Sequence, residues 1–432
     1  MNAWHSITPE NAVYCLLSFE GPDPYSRAGG LGTRVTELSR TLAETGYQTH
    51  LFFVGDPEKP ARERTCDGRL SLWRVVQDVS RYYLQGVYDG EHEKHTVYST
   101  VVPHLVVQEV AQPAIEQQKI VIVIGEDWHT AEAMWRISDM LFWRGIRRHA
   151  LLLWNANNVF GFEHIDWARL RMTTHITTVS RYMKYRLWEY GVNALVIPNG
   201  IPSRYLEPVD ASLVHALRQP LGGRLLLTKV GRFDPGKNWI PAIQAVAKLK
   251  HLNLRPLFVM RGGIEPHGHE VIAEIERLRL RHVDLHVSPN IPHDAVVRKI
   301  TAAAAEADIV NLCFFVPEPV LRALFCASDA VLANSRHEPF GLVGLEVMAA
   351  GGIAFTGSTG EDYAQHLLNA ITLDTDSPDE IVGHLLYLRE HPAIARNLRR
   401  VGRITARFYL WDAILEKLQS KLQHFIMSNQ LG

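Results

Sequence analysis

The chain has 432 residues, 47% of them hydrophobic, with 45 Lys and Arg against 46 Asp and Glu. At ~100–200 residues per domain this length makes two or three domains, and the balanced charge excludes a net field strong enough to steer nucleic acid. Four scattered cysteines, Cys15, Cys66, Cys313 and Cys326, exclude a disulfide scaffold and fit buried thiols in a reducing compartment.

The first ten residues carry no basic stretch leading into an apolar core, and no apolar run reaches about 18 residues. A cytoplasmic protein is therefore expected, with peripheral membrane contact left open. The 21 histidines include no H-E-x-x-H and no cluster at metal-ligand spacing, so no metal is expected.

In chain order, residues 12–19 (AVYCLLSF) form a strand, 20–28 a Gly/Pro/Asp loop, 31–45 an amphipathic helix stopped by Gly46, and 48–54 a second strand. Strand, helix, strand makes a parallel crossover unit. Residues 56–98 carry no assignable element, only charges interspersed with Trp73, Tyr82, Tyr83 and Tyr88. Strands resume at 120–124, 150–154, 175–179 and 194–197, with helices from Thr130 and over 180–190.

Pro198-Asn199-Gly200-Ile201-Pro202 then interrupts all regular structure and marks a domain boundary. A second series follows, with strands at 224–230, 257–260, 283–287, 309–316 and 330–333 and helices over 238–250 and 270–280. Domains are thus expected at 1–200, 201–408 and 409–432. The fold class is α/β: two Rossmann-like doubly wound sheets whose strand carboxyl ends face a shared cleft. The tail, 392–425, makes two helices separated at Trp411. The run Arg396, Arg399, Arg400, Arg403 and Arg407 is expected to form a solvated face.

Candidate chemistry sits on loops at strand ends. Gly29-Gly30-Leu31-Gly32 opens the first helix, where glycines let a backbone approach a ligand and helix N–H groups point at an anion. A dinucleotide loop fits poorly, since G-x-G-x-x-G would need glycine at Val35. Gly125-Glu126-Asp127-Trp128-His129-Thr130 ends the strand 120–124. Asn155, Asn157 and Asn158 follow the next strand, placed to bind sugar hydroxyls or to cap a turn. Arg232 and Lys237 flank a turn before a helix, where two cations and a helix N-terminus can hold a diphosphate leaving group without a metal. Glu338 lies on a loop and Glu346 inside the helix 342–350, either side of a seat for phosphate or sugar hydroxyls. Asp374-Thr375-Asp376, a metal-binding pattern elsewhere, leads into Ser377-Pro378-Asp379-Glu380 and reads as a helix start.

Glu338 and Glu346, with seven residues between them, are embedded in Pro339-Phe340-Gly341, Gly344-Leu345 and Met348-Ala349-Ala350-Gly351. That arrangement resembles the E-x7-E signature of retaining glycosyltransferases of the GT-B fold, glycosyltransferase family 4. Gly29-Gly30-Leu31 is similar to the Lys-x-Gly-Gly-Leu loop of glycogen and starch synthases, with Arg27 in place of the lysine. Residues 126–129 are similar to their His-Asp-Trp-His segment, with Glu126 replacing the first histidine, and 231–238 resemble the family's Gly-Arg and Lys-Asn segment.

The resemblance implies a retaining, metal-independent hexosyltransferase without a cofactor. It uses a nucleoside-diphosphate sugar, by family habit UDP-glucose, on a carbohydrate or lipid-linked acceptor. By it, Glu346 holds ribose, Glu338 and the backbone of 340–343 (Phe340, Gly341, Leu342, Val343) the donor sugar, and Arg232 and Lys237 the diphosphate. Gly29, Gly30 and Leu31 join the donor site and His129 lies beside the transferred sugar. Arg27, Glu126, Asp127, Asn155 and Asn157 fall on the acceptor side. The last helix is implied to cross back to the first domain, with Trp411 in that role. A nucleotide-sugar epimerase of the same architecture and a catalytically silent sugar-binding protein are the competing readings, and residues 56–98 are expected to shape acceptor choice.

Overall fold

A computed structural model describes residues 7–428. The chain forms two compact units. One holds the residues up to Pro202 together with those from Leu410 on; the other runs Ser203–Tyr409.

The first unit contains β1 (Ala12–Leu17), β2 (Gln48–Val54), β3 (Arg62–Thr65), β4 (Leu70–Val75), β5 (Ile120–Glu126), β6 (Ala150–Ala156), β7 (His175–Thr178) and β8 (Leu195–Val196). They make one sheet in the order β3-β4-β2-β1-β5-β6-β7-β8. Every ladder is parallel except that of β3 with β4. β1, β5 and β6 are buried along their whole length, which is why they read as continuous apolar runs without alternation. Among the connecting helices are α1 (Gly30–Glu44), α2 (Glu91–Leu105), α3 (Ala131–Trp143), α4 (Trp167–Thr173) and α5 (Arg181–Trp188). The chain winds outward through β2 on one side of β1 and through β5 on the other. The reversal falls between β1 and β5, and loops diverging there open a crevice at the strand carboxyl ends.

Residues 56–98, unassigned from sequence, supply β3, β4 and the start of α2. β3 is a charged edge strand whose Arg62, Glu63 and Arg64 are exposed, so it lacks the alternation that marks a half-buried strand. Its turn to β4 places Cys66, Asp67 and Gly68 at φ 50°, 54° and 81°, all left-handed. Asp67-Gly68 is the sequence cue for that hairpin.

The second unit contains β9 (Leu225–Val230), β10 (Pro256–Arg261), β11 (His282–Leu285), β12 (Ile309–Leu312), β13 (Ala330–Ala333), β14 (Ala354–Thr356) and β15 (Ile371–Thr372). All are parallel, in the order β11-β12-β10-β9-β13-β14-β15, so the winding reverses between β9 and β13. Successive residues of β9 point to opposite faces: Leu226 joins a core layer with Leu257, Val310 and Leu324, and Leu227 one with Trp239, Ile243, Phe258 and Phe355. Its helices include α6 (Trp239–His251), α7 (Glu318–Ala327), α8 (Leu342–Ala349) and α9 (Pro392–Arg407).

The basic run on α9 is a solvated face only in part. Arg399 donates to the carbonyls of Cys326, Gly351 and Ser328, and Arg403 to that of Leu206, tying loose carbonyls of the unit. Arg396, Arg400 and Arg407 remain exposed. The last helix, α10 (Trp411–Ser428), belongs to the first unit. The Trp411 N–H donates to the Ile201 carbonyl at 3.1 Å, and a Cβ on Gly200 would lie 2.5 Å from the indole. The Pro-Asn-Gly-x-Pro stretch is thus clamped at its end.

Candidate active site

In the second unit the reversal point gathers the loops after β9 and β13. Gly231 ends β9 at φ 155°, and Arg232 follows, exposed and without an ion pair among the described residues. Asp234 accepts the Gly236 N–H at 2.8 Å, closing the turn that presents Lys237. Lys237 Nζ donates to Glu338 Oε2 at 2.6 Å, so a cation from one loop and a carboxylate from the other hold each other across the reversal point. Glu338 is itself fixed: its N–H donates to Thr359 Oγ1 at 2.9 Å.

Gly341 caps α8 in the left-handed region at φ 81°. Phe340 is buried against Tyr363 and Tyr409, so only the backbone of that residue is offered to a ligand; Leu342 and Val343 are half-buried. Glu346 is half-buried on α8, and its carboxylate has no hydrogen-bond partner among the described residues. Burial and the nearby charge of Glu318 push its carboxyl up to about 7, although the Arg204 of the Arg204–Glu318 pair pulls the other way.

Sequence reasoning missed two residues here. Glu361 is 5% exposed, with Oε1 unpartnered and Oε2 accepting the Thr359 N–H at 3.2 Å. Burial, then repulsion from Glu338, pushes it up to about 8. Lys229 on β9 is buried, donating to the Leu332 carbonyl at 3.0 Å and Asn334 Oδ1 at 2.6 Å. Burial, reinforced by Lys237, lowers it to about 7. A lysine inside an otherwise apolar strand was the available signal. For Glu361 the signal was the Gly-Ser-Thr-Gly run before it: a Cβ on Gly360 would sit 2.1 Å from the Glu338 carbonyl.

Asp376 is structural, accepting from Asn238 Nδ2 at 2.7 Å and pairing with Arg336 at 2.5 Å, while Ser377 caps the following helix. Among the described residues no group of three or more His, Cys, Asp or Glu could hold a metal.

In the first unit the reversal point gathers the ends of β1, β5 and β6. The amides of the Gly-Gly-Leu loop do point at an anion, and that anion is internal. Glu20 Oε2 accepts the N–H groups of Ala28, Gly29 and Gly32 at 2.9–3.0 Å, and Oε1 accepts the Tyr88 hydroxyl at 2.8 Å. The amides of Gly30 and Leu31 are not among these. Glu126 is buried and fully engaged: Arg34 Nε lies 3.0 Å away, and Asn155 and Asn157 donate to it at 2.9 and 2.7 Å. Arg34 also donates to Asn199. Asp127, at φ 60°, accepts the Asn157 N–H at 2.7 Å and the Asn158 amide at 2.8 Å. Burial pushes its carboxyl up to about 7 against those hydrogen bonds. Glu126, Asp127, Asn155 and Asn157 thus bind one another at the strand ends, and Arg34, Asn199 and Glu20 are the partners that sequence spacing did not reveal.

His129 stands in a stack, 4.1 Å from the Phe19 ring and 4.0 Å from that of Trp128. Burial lowers its pKa, so the neutral ring donates Nε2–H to Glu91 at 2.6 Å and keeps Nδ1 buried without a partner. The residue as a whole is buried, at 4% exposure. Arg27 is exposed, donating to the Pro22 carbonyl at 3.2 Å. It lines a pocket of about 490 Å³ with Tyr25, Leu84, Tyr88 and Asp89. The far wall, residues 84–89, is held by buried Lys94, which donates to the Gly86 carbonyl at 2.8 Å and to the Tyr25 hydroxyl at 2.7 Å.

Two doubly wound domains, each with polar residues at its reversal point, are the two-domain architecture known as GT-B. The family described as "Glycosyl transferases group 1" matches residues 218–405, and "Glycosyltransferase Family 4" matches residues 28–204. The chain belongs to the GT-B glycosyltransferases of the family 4 type. Curated protein sequences give no match. Among solved structures it is similar to a sucrose-phosphate synthase of Thermosynechococcus elongatus, at 17% identity over 97% of this chain and 100% of that one, TM-score 0.67. HepE of Anabaena, solved with UDP and glucose, matches at 16% over 96% and 100%, TM-score 0.61. The catalytic domain of starch synthase IV of Arabidopsis thaliana, solved with ADP and acarbose, matches at 14% over 96% and 99%, TM-score 0.64. At these identities the likeness carries the fold alone.

Proposed function

We propose that the protein transfers a hexosyl group, glucose from UDP-glucose, to a carbohydrate or lipid-linked acceptor, with retention and without a metal. The observation that carries the reading is the Lys237–Glu338 pair beside the unpaired Arg232 at the second unit's reversal point. An arriving diphosphate takes over Lys237 and recruits Arg232. That frees the Glu338 carboxylate to accept hydroxyls of the donor sugar, while the first turn of α8 offers its N–H groups. Two cations then face the oxygen on which charge grows as the sugar–phosphate bond breaks. Glu346 accepts the ribose hydroxyls. The acceptor hydroxyl attacks from the side the leaving group departs and gives its proton to a phosphate oxygen.

In this reading the pocket over Arg27 and Tyr88 takes the acceptor, Glu20 shapes the Gly-Gly-Leu loop, and His129 acts as a positioning residue through Phe19 and Trp128. The structures of HepE with UDP and glucose and of starch synthase IV with ADP support a nucleoside-diphosphate donor.

The test is thermal stabilisation against a panel of nucleoside diphosphates and their sugars without added metal. A ligand at 100 times its Kd stabilises by about 2.7 kcal/mol. A selective shift with UDP and UDP-glucose is expected, abolished by Arg232→Ala. No shift with any nucleotide would remove the diphosphate site and the transferase reading with it. Hexose isomerisation in the absence of any acceptor would replace transfer by epimerisation.

A further inference from the structure

The first unit carries a second surface, at the opposite end of its sheet. α3, α4 and α5 each run back from the strand carboxyl ends, so their last turns lie at the amino ends of β6, β7 and β8. There Trp143 is 83% exposed, Met172 88% and Trp188 55%, with Phe142 and Tyr185 also open to solvent. Large apolar side chains at this exposure are costly on a protein that meets only water.

The three helix ends are neighbours. Phe142 and Trp143 touch edge to face at 5.7 Å. Arg147, in the turn after α3, donates to the Thr173 carbonyl at the end of α4 at 2.9 Å. Arg171 of α4 lies 3.1 Å from the Cβ position of Gly191, just past α5, where Tyr185 and Trp188 pack at 4.8 Å.

Charge decides what covers this surface. Residues 142–149, 169–173 and 181–191 hold eight Lys and Arg against one Glu, in a chain whose net charge is −1. Arg169 and Arg186 are neutralised by Asp139 and Glu189. Arg144, Arg148, Arg171 and Lys184 have no carboxylate partner among the described residues. Unpaired cations around indole and thioether side chains complement an anionic bilayer: the cations meet lipid phosphates and the aromatic rings enter the headgroup layer. A second copy of this face would set like charges against each other. A rigid polyanion would leave the tryptophans and Met172 in water.

We propose that the last turns of α3, α4 and α5 form a docking face for an anionic lipid surface. Docking there leaves the strand carboxyl ends of the same unit, with the pocket over Arg27, pointing away from the bilayer. The membrane acts as an anchor, and the peripheral membrane contact that the sequence left open is assigned to this face.

The full chain should co-sediment with vesicles containing about 30 mol% phosphatidylglycerol, fail to do so with pure phosphatidylcholine, and be released at about 0.5 M salt. The double variant Trp143→Ser, Trp188→Ser and the charge variant Arg144→Glu, Arg148→Glu should each weaken partition about tenfold or more. An unchanged melting temperature would show both still folded. Equal binding to neutral vesicles, no binding to either, or binding that both variants leave intact would overturn the proposal. So would retention on heparin without vesicle binding, which would assign the face to an acidic polymer, or a concentration-dependent dimer abolished by the tryptophan variant. None of these outcomes bears on the donor-site test, which reads the second unit.

Discussion

Lys237 and Glu338 satisfy each other at 2.6 Å, and one of them must change partner when a diphosphate enters. If Lys237 stabilises charge that develops only as the bond breaks, Lys237→Ala should lower kcat ~10²-fold or more, as loss of one oxyanion donor does. A variant with near-normal kcat and a raised KM would reduce Lys237 to a binding contact. Glu361 gives a different handle. Its carboxyl is raised from 4.5 to about 8, chiefly by burial, so the folded state holds a proton that the unfolded state releases. The stability it supplies is fully present below about pH 4.5 and is lost as pH rises to about 8. Glu361→Gln mimics the protonated acid at every pH. The variant's advantage in melting temperature should therefore grow from about pH 5 to pH 8 and then level off; a pH-independent offset would refute the assignment. Lys229, lowered to about 7, has the opposite slope, its contribution being lost as pH falls towards 7. It is common to both proteins and cancels in the comparison.

At the scale of elements, the loop into α8 is held by fit. Gly341 sits at φ 81°, and a Cβ there would lie 2.8 Å from Glu361 Cγ and 3.2 Å from Glu338 Cγ, while the Tyr363 hydroxyl donates to its carbonyl. Gly341→Ala should cost more than about 1 kcal/mol and weaken nucleotide-sugar binding, because relief of the contact moves Glu338. Thermal melts and donor titration check both, and a stable variant that binds normally would show the cap to be replaceable. The same loop shows what the sequence made legible. Pro339, Gly341 and the helical spacing after them announced a loop opening into a helix, and the buried strands announced two doubly wound sheets. The charged edge strand β3 was silent because nothing in Arg-Glu-Arg-Thr alternates. Arg232, Lys237 and Glu338 were visible because they lie on short loops beside strand ends. Glu20, Arg34, Asn199 and Glu361 act through partners that are distant in sequence or through a turn packed from another element: Arg34 meets Asn199 across 165 positions. Spacing carries no trace of such pairings.

For the molecule as a whole, the first unit is discontinuous: it takes up α10 from beyond the second unit. Trp411 is 3% exposed; its indole lies over Gly200 and 5.7 Å from the Arg34 guanidinium, whose Nε holds Glu126 and whose Nη1 holds Asn199. The seam where α10 meets Leu38, Ile124 and Leu153 leaves a void of only about 10 Å³, so the indole is closely packed and its loss opens a new cavity. Trp411→Ala should cost about 3–5 kcal/mol and bring down the melting of the first unit by about 10 °C. It should also loosen Arg34, and with it the Glu126 network at the strand ends. The second unit, whose core shares no residue with that seam, should keep its nucleotide-induced shift. Calorimetry with and without nucleoside diphosphate separates the two effects: one transition lowered and the ligand-sensitive one unmoved is expected. An unchanged first transition would mean that α10 is an appendage, and that the first unit closes its core within the residues before Pro202.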